Sequence, residues 1–324
     1  MRIGLIDVDG HNYPNLPLMK ISAWHKSRGD SVEWYQPLFS GHMDKVYMSK
    51  VFSFTPDYEY YVDADEIVKG GSGYCISLVD GKEVYDKKKD KDLPPEIEHV
   101  YPDYSIYPDQ TKDTAYGFLT RGCPRGCGFC HVEAKEGKCS RKVADLSEFW
   151  RGQKNIVLCD PNILACKDHM ELLKQLADSK AWVDFNQGLD VRLVNDRNLE
   201  ILRQIKIRKV HIAFDDFKQK DLIEPKMRML KEKTGWERHK VYCYILTNFD
   251  TSIADDIYRI QLCRELDFNP YPRIYDKEHA NPIDRKLQRW CNSVIFWKVP
   301  TFEDYLKYEC GGAEMLSNFI ERGK

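Results

Sequence analysis

The sequence has almost no net charge to offer a partner. It carries 49 lysines and arginines against 51 aspartates and glutamates, a formal charge of −2 at pH 7. No overall field therefore draws the chain to nucleic acid or to an anionic membrane. It also lacks any apolar run near the ~20 residues needed to span a bilayer. The opening Met1-Arg2-Ile3-Gly4-Leu5-Ile6-Asp7 is too short in its apolar part, and too soon acidic, for a secretory signal. Cysteines number 11, an odd count with one tight group, which argues against the disulfide framework of a small secreted domain. The glycine-rich Gly70-Gly71-Ser72-Gly73 has neither the G-x-G-x-x-G nor the G-x-x-x-x-G-K-[ST] spacing, so it reads as a turn rather than a phosphate cradle. These absences leave a cytoplasmic chain with no membrane partner. Its 324 residues are enough for one large or two ordinary domains.

What is present is concentrated in Arg121-Gly122-Cys123-Pro124-Arg125-Gly126-Cys127-Gly128-Phe129-Cys130. Three thiols spaced C-x3-C-x2-C converge on one short loop, a soft donor set suited to an iron–sulfur cluster or to zinc. Glycines let such a loop bend sharply and approach a bulky inorganic core. A cubane has four irons, so three cysteines leave one iron open to chemistry. A structural zinc site would need a fourth ligand, for which Cys139 is available, while His131 directly follows Cys130 and is poorly placed to share its metal. A dithiol redox pair, Cys127 with Cys130, would leave Cys123 unexplained.

The C-x3-C-x2-C spacing with Phe129 just before the last cysteine resembles the signature of the radical S-adenosylmethionine (SAM) superfamily. That resemblance implies a 4Fe–4S cluster held by Cys123, Cys127 and Cys130, with the amino and carboxylate groups of SAM on the fourth iron and Phe129 against the adenine. The implied activity is reductive cleavage of SAM to methionine and a 5′-deoxyadenosyl radical that abstracts hydrogen from a substrate the motifs do not name. An electron donor such as a flavodoxin or ferredoxin is implied as partner, and the implied fold is α/β, a partial (βα)6 TIM-like barrel. Two readings from other classes stay open: a zinc-stabilised binding protein, and a non-catalytic iron–sulfur protein for electron transfer or redox sensing.

Taken in order, the chain begins with a buried strand at 2–8, a helix at 15–28 ending before Gly29, and a strand at 31–35; short apolar runs follow at 45–52 and 66–68. This order predicts a small Rossmann-like domain over 1–80. It resembles, more weakly, the cobalamin-binding-type domain that precedes the barrel in many radical SAM proteins. Asp9-Gly10-His11 is similar to the start of the D-x-H-x-x-G element whose histidine can ligate cobalt, but Pro14 stands where the glycine belongs, which speaks against cobalamin as a further cofactor. Residues 81–114, rich in Lys, Asp, Pro and Tyr, read as an exposed connection, and Lys87-Lys88-Lys89 as a solvated face.

From 115 to 284 a strand-then-helix pattern repeats about six times, with strands expected at 116–120, 155–160, 182–187, 209–215, 240–247 and 269–275. Helices are expected at 168–179, 196–205, 224–233 and 252–266, with Asp168/Glu171 and Ser252/Asp255 as capping pairs. Barrels of this kind collect chemistry at the carboxyl ends of their strands. The rule selects Asp160, Asn162, Gln187, Asp190, Arg192, Asp215, Thr247 and Asn248 as SAM contacts. Arg192 suits a bidentate pairing with the SAM carboxylate. Asp160, Asn162 and Asp190 suit the ribose hydroxyls or the methionine amine, although Cys159-Asp160-Pro161-Asn162 replaces the family's G-G-E-type element. For Gln187 and Asp190 the plainer alternative is capping or a turn. The scattered cysteines read as small buried hydrophobes. The aromatics of 285–324 read as an extension covering the barrel; no separate RNA-binding module is visible, and nucleic acid as substrate is left open.

Overall fold

The computed structural model describes residues 1–10, 13–79 and 82–308. The protein is mixed α/β with parallel sheets, and it divides into two compact units, Met1–Cys159 and Asp160–Lys324. Among the described residues no helix is long and apolar enough to cross a membrane.

The first unit is built on four parallel strands in the order β2-β1-β3-β4: β1 Arg2–Asp7, β2 Ser31–Trp34, β3 Met43–Ser49 and β4 Ala64–Gly70. Between β1 and β2 runs α1, Leu16–Ser27. Asn15 starts it by accepting from the Leu18 N–H at 3.3 Å, and Pro17 sits in its first turn, where a missing N–H costs nothing. The helix buries Leu18 and Ile21 on Ile3 and Leu5 of β1. Gly29 follows it in the left-handed region at φ +83°, as the sequence led one to expect of a C-terminal cap. The opposite face of the sheet buries Ile6, Val46 and Met48 under Tyr35, Tyr58 and Val62.

The segment read as an exposed connection is more structured than its composition suggests. It holds a hairpin, β5 Ile76–Val79 with β6 Lys82–Tyr85, and two single-turn helices, α2 Pro95–Glu98 and α3 Pro108–Thr111. Ile97, Tyr107 and Thr111 are buried, and Ile97 joins the cluster under α1. A few large apolar side chains among many charges are enough to complete a core. Composition averages hide them.

The expected strand at 116–120 is two elements: β7 Thr114–Gly117, and β8 Thr120–Arg121, which leaves the sheet direction to pair antiparallel with β9 Arg141–Lys142. Between them in sequence lies α4, Val132–Glu136. Strand β10, Asn155–Leu158, closes the unit, parallel to β7.

In the second unit, β11 Trp182–Phe185, β12 Lys206–Ala213, β13 Val241–Thr247 and β14 Asn269–Ile274 pair parallel in sequence order. They alternate with α5 His169–Ser179, α6 Asp196–Leu202, α7 Lys220–Thr234 and α8 Ile253–Glu265. Helix α7 starts a turn before the predicted 224 and runs through Pro225, which gives up one backbone bond. Ser252 and Asp255 form the expected capping box, whereas Asp168 precedes α5 without a side-chain cap. Helices α9 Pro282–Cys291 and α10 Phe302–Tyr308 gather a buried aromatic group of Trp290, Phe296, Phe302 and Tyr305, with ring centroids 4.9 Å apart for Trp290 and Phe296.

Candidate functional site

The cysteine loop, residues 122–140, is held at its base by the β8–β9 ribbon, in which Thr120 faces Lys142 and Arg121 faces Arg141. Inside that base Glu136, almost buried, accepts from the Gly122 N–H at 3.0 Å and from Arg121 Nη1 at 3.2 Å. The Cys123 N–H donates to the Gly137 carbonyl at 3.2 Å, and the Cys130 N–H to the Cys127 carbonyl at 2.9 Å, which folds the C-x2-C half into a turn. Two glycines make this path possible. A Cβ on Gly122, at φ +87°, would lie 2.2 Å from the Cys139 carbonyl oxygen, and one on Gly126, at φ +58°, would lie 2.5 Å from Glu133 Oε2.

Cys123, Cys127 and Cys130 are thiols outside any disulfide, the first two half-buried and the third exposed. His131 turns away to Glu83, 3.3 Å from Nε2 to Oε2. Among the described residues no group of three or more His, Cys, Asp or Glu side chains is gathered to hold a metal ion. The loop thus offers three thiols, soft donors, on a bent, glycine-relieved path whose last cysteine is exposed. Such a donor set suits an iron–sulfur cluster or zinc. Phe129, half-buried, lies within the same turn.

The remaining predicted residues lie in the second unit, and the structure sorts them into three groups. The first is a connected network. Asp190 accepts from Arg192 Nε at 2.7 Å and Nη2 at 3.1 Å, caps the single turn Val191–Leu193 through the Arg192 N–H, and accepts from Asn162 Nδ2 at 3.1 Å. Arg192 Nη1 donates to Gln219, whose own amide donates to Asp216 at 2.6 Å. The bidentate fork expected for a ligand carboxylate is therefore engaged by the chain's own carboxylate, and the capping role foreseen for Asp190 coexists with it. Asp160 is buried at the start of this segment, while Gln187 is exposed and stands outside the network.

The second group centres on Asp215, just past β12. It accepts from the Leu246 N–H at 2.7 Å, and burial pushes its pKa up to about 6 despite that bond and the nearby Arg259, Arg273 and Arg192. The third is structural in its bonding: Thr247 donates to the Arg273 carbonyl at 3.4 Å, and Asn248, at φ +57°, donates to the Asp276 carbonyl at 2.9 Å.

Two sets of residues emerge from the structure that the strand-end rule passes over. Arg259 of α8 is fully buried and donates to the carbonyls of Phe214, Asp215 and Leu246 at 2.6–2.9 Å, tying the ends of β12 and β13 together, with Asp256 as its counter-ion. Within the strands, Asp184 and His211 approach to 3.9 Å, and His211 stacks on Tyr244 at 5.1 Å. Arg273 lies over the same Tyr244 ring at 4.6 Å. His211 Nδ1 is 3.0 Å from the Phe185 carbonyl, which only accepts; Nδ1 is thus the protonated nitrogen and Nε2 an acceptor. Burial raises the Asp184 pKa and lowers that of His211, so both groups are pushed toward their neutral forms. Their sequence signal is a polar residue flanked by apolar ones, Val183-Asp184-Phe185 and Val210-His211-Ile212.

The candidate cobalt ligand His11 and the cysteine at 310 lie outside the described residues. Of the scattered cysteines, 75, 159, 166, 243, 263 and 291 are buried as expected, and Cys139 is exposed in the cysteine loop.

No family model matches the chain, and no curated protein matches it. Similar solved structures include two crystal structures of SuiB from Streptococcus suis. The one bound to S-adenosylmethionine is 14% identical with a TM-score of 0.44, covering 60% of this chain and 54% of that one. The one bound to the precursor peptide SuiA is 13% identical with a TM-score of 0.42, covering 67% and 55%. The chain spans about half the length of these SuiB chains.

Proposed function

We propose that this chain is a radical SAM enzyme, and the observation that carries the proposal is the C-x3-C-x2-C loop closed by β8 and β9. Cys123, Cys127 and Cys130 are its cluster ligands, and the 4Fe–4S group, when bound, supplies reductive cleavage of SAM to a 5′-deoxyadenosyl radical that abstracts hydrogen from the substrate. Glu136 pins the base of the loop, and Gly122 and Gly126 adopt without strain the backbone turns it needs. Arg192, with Asp190, Asn162 and Asp160, is assigned to the SAM amino acid and ribose, Phe129 to the adenine, and Gln187, Asp215, Thr247 and Asn248 to the same cofactor's surroundings. The pairing of Arg192 with Asp190 gives these two side chains a preset geometry and cancels their charges. We further assign 115–284 to a partial (βα)6 barrel, 1–80 to a Rossmann-like domain, 81–114 to their connection and 285–324 to a covering extension. A cytoplasmic setting with a flavodoxin or ferredoxin as electron donor completes the assignment.

The test is 5′-deoxyadenosine release from SAM by anaerobically reconstituted, chemically reduced protein, with Cys127→Ala as control and iron and sulfide assayed in both. Product from wild type that vanishes in the variant is the expected result. A full, reducible cluster that leaves SAM intact would replace the proposal with an electron-transfer role. One zinc and no iron per chain would replace it with a structural one.

A further inference from the structure

One face of the N-terminal sheet is left open beside α1. Tyr47 and Ser49 of β3 and Val68 of β4 form a wall of a cavity of about 970 Å³, which Leu18 and Ile21 of α1, the chain around 87–99 and α4 close on the other sides. This volume lies at the upper end of the range for small-molecule pockets. The cavity reaches the carboxyl ends of β3 and β4, neighbours in the parallel sheet. Open parallel sheets take their ligands outside the carboxyl ends of their strands.

The lining is divided in character. Leu18, Ile21, Val68 and Ile97 give it an apolar part, while the rest includes eight lysines and arginines against five acids, in a chain whose total charge is −2. Ion pairing sharpens the imbalance. Glu98 is paired with Lys20 at 2.9 Å, Glu136 with Arg121 at 3.2 Å, Glu133 with Lys138 at 2.9 Å and Asp90 with Lys87 at 3.4 Å. Asp92 alone among the five acids has no basic partner among the described residues. Against it stand three cations, Lys91, Lys135 and Arg141, that meet no carboxylate among the described residues; Arg141 donates only to the Glu136 carbonyl, at 2.6 Å. Lys135 is half-buried. Cations gathered around a cavity without counter-ions favour an anionic occupant.

We infer that this cavity binds an amphipathic organic anion, with a phosphate or carboxylate head toward Lys91, Lys135 and Arg141 and an apolar or aromatic body against Leu18, Ile21, Val68 and Ile97. None of the three motif cysteines lines the cavity, so the inference goes beyond the cluster chemistry and does not rest on it. The probe is 8-anilinonaphthalene-1-sulfonate, an aromatic anion whose fluorescence rises on desolvation, titrated into the full chain without SAM. Failure of SAM cleavage would leave this result standing. Wild type should show one saturable site. The double variant Lys91→Glu/Arg141→Glu changes two exposed side chains, circular dichroism checks that its fold matches wild type, and it should bind roughly tenfold more weakly. Competition with 2-naphthyl phosphate, 2-naphthoate and neutral 2-naphthol identifies the head group, and at least one anion should displace the probe roughly tenfold better than the naphthol. No saturable site in wild type, unchanged affinity in the double variant, or equal displacement by the neutral naphthol would each overturn the inference.

Discussion

Asp215 is the residue whose protonation the fold controls most plainly. Burial lifts its pKa from the ordinary 3.8 to about 6, so folding takes up a proton there. Its contribution to stability is fully present below about pH 4 and is lost as the pH rises through about 6. Asp215→Asn keeps the acceptor for the Leu246 N–H and removes the charge. It should therefore gain on wild type between pH 4 and 7, by about 2–3 kcal/mol at the upper end, in urea unfolding followed at both pH values; a difference that does not change with pH would refute the buried-carboxylate account. Arg192→Ala should weaken SAM binding, by roughly tenfold or more, as read by equilibrium dialysis with the reconstituted protein. At this scale the sequence was legible in part. The three cysteines stand out by spacing alone, and the strand-end rule picks Asn162, Asp190 and Arg192, which the structure joins in one hydrogen-bonded network. That rule picks positions, not partners, so the Asp190–Arg192 fork stayed hidden. Arg259 was hidden altogether, because Asp256 and Arg259 three residues apart on a helix look like a surface pair until tertiary packing buries both.

Elements were legible where local chemistry settles them and not where the chain changes direction. Ser252 and Asp255 carried a capping signature that the structure bears out, while the similar pair Asp168 and Glu171 did not produce a side-chain cap. Ser252→Ala should accordingly cost about 1 kcal/mol in denaturant unfolding, and Asp168→Ala less than about 0.5 kcal/mol. The β8–β9 ribbon was missed because two-residue strands have no periodicity to detect, and Tyr116 to Thr120 simply looked like one strand. The cysteine loop depends on that ribbon and on Gly122. In Gly122→Ala the methyl would meet the Cys139 carbonyl on a backbone that side chains rarely adopt. The expected cost is about 1–3 kcal/mol, together with iron incorporation well below wild type after reconstitution; full iron loading would show that the loop can be rebuilt.

For the whole molecule, the α/β class and the parallel strands followed from the alternating pattern, but the extent of the first unit did not. The charged stretch after residue 80 hid Ile97 and Tyr107, whose burial completes the core around α1. The compact unit runs from Met1 to Cys159. A fragment of residues 1–159 should therefore unfold cooperatively in denaturant, as followed by circular dichroism, whereas a fragment of 1–80 should not. A cooperative transition in the shorter piece would mean that Ile97 and Tyr107 decorate a core that is already sufficient.

The grip of Arg259 has a consequence for how this scaffold tolerates change. Its guanidinium holds the carbonyls of Phe214, Asp215 and Leu246, and a carbonyl is present whatever side chain a position carries. Strand-end side chains such as that of Asp215 can thus be exchanged while the backbone that presents them stays in place. Randomised libraries belong at such strand-end positions, with Arg259 and Asp256 left untouched.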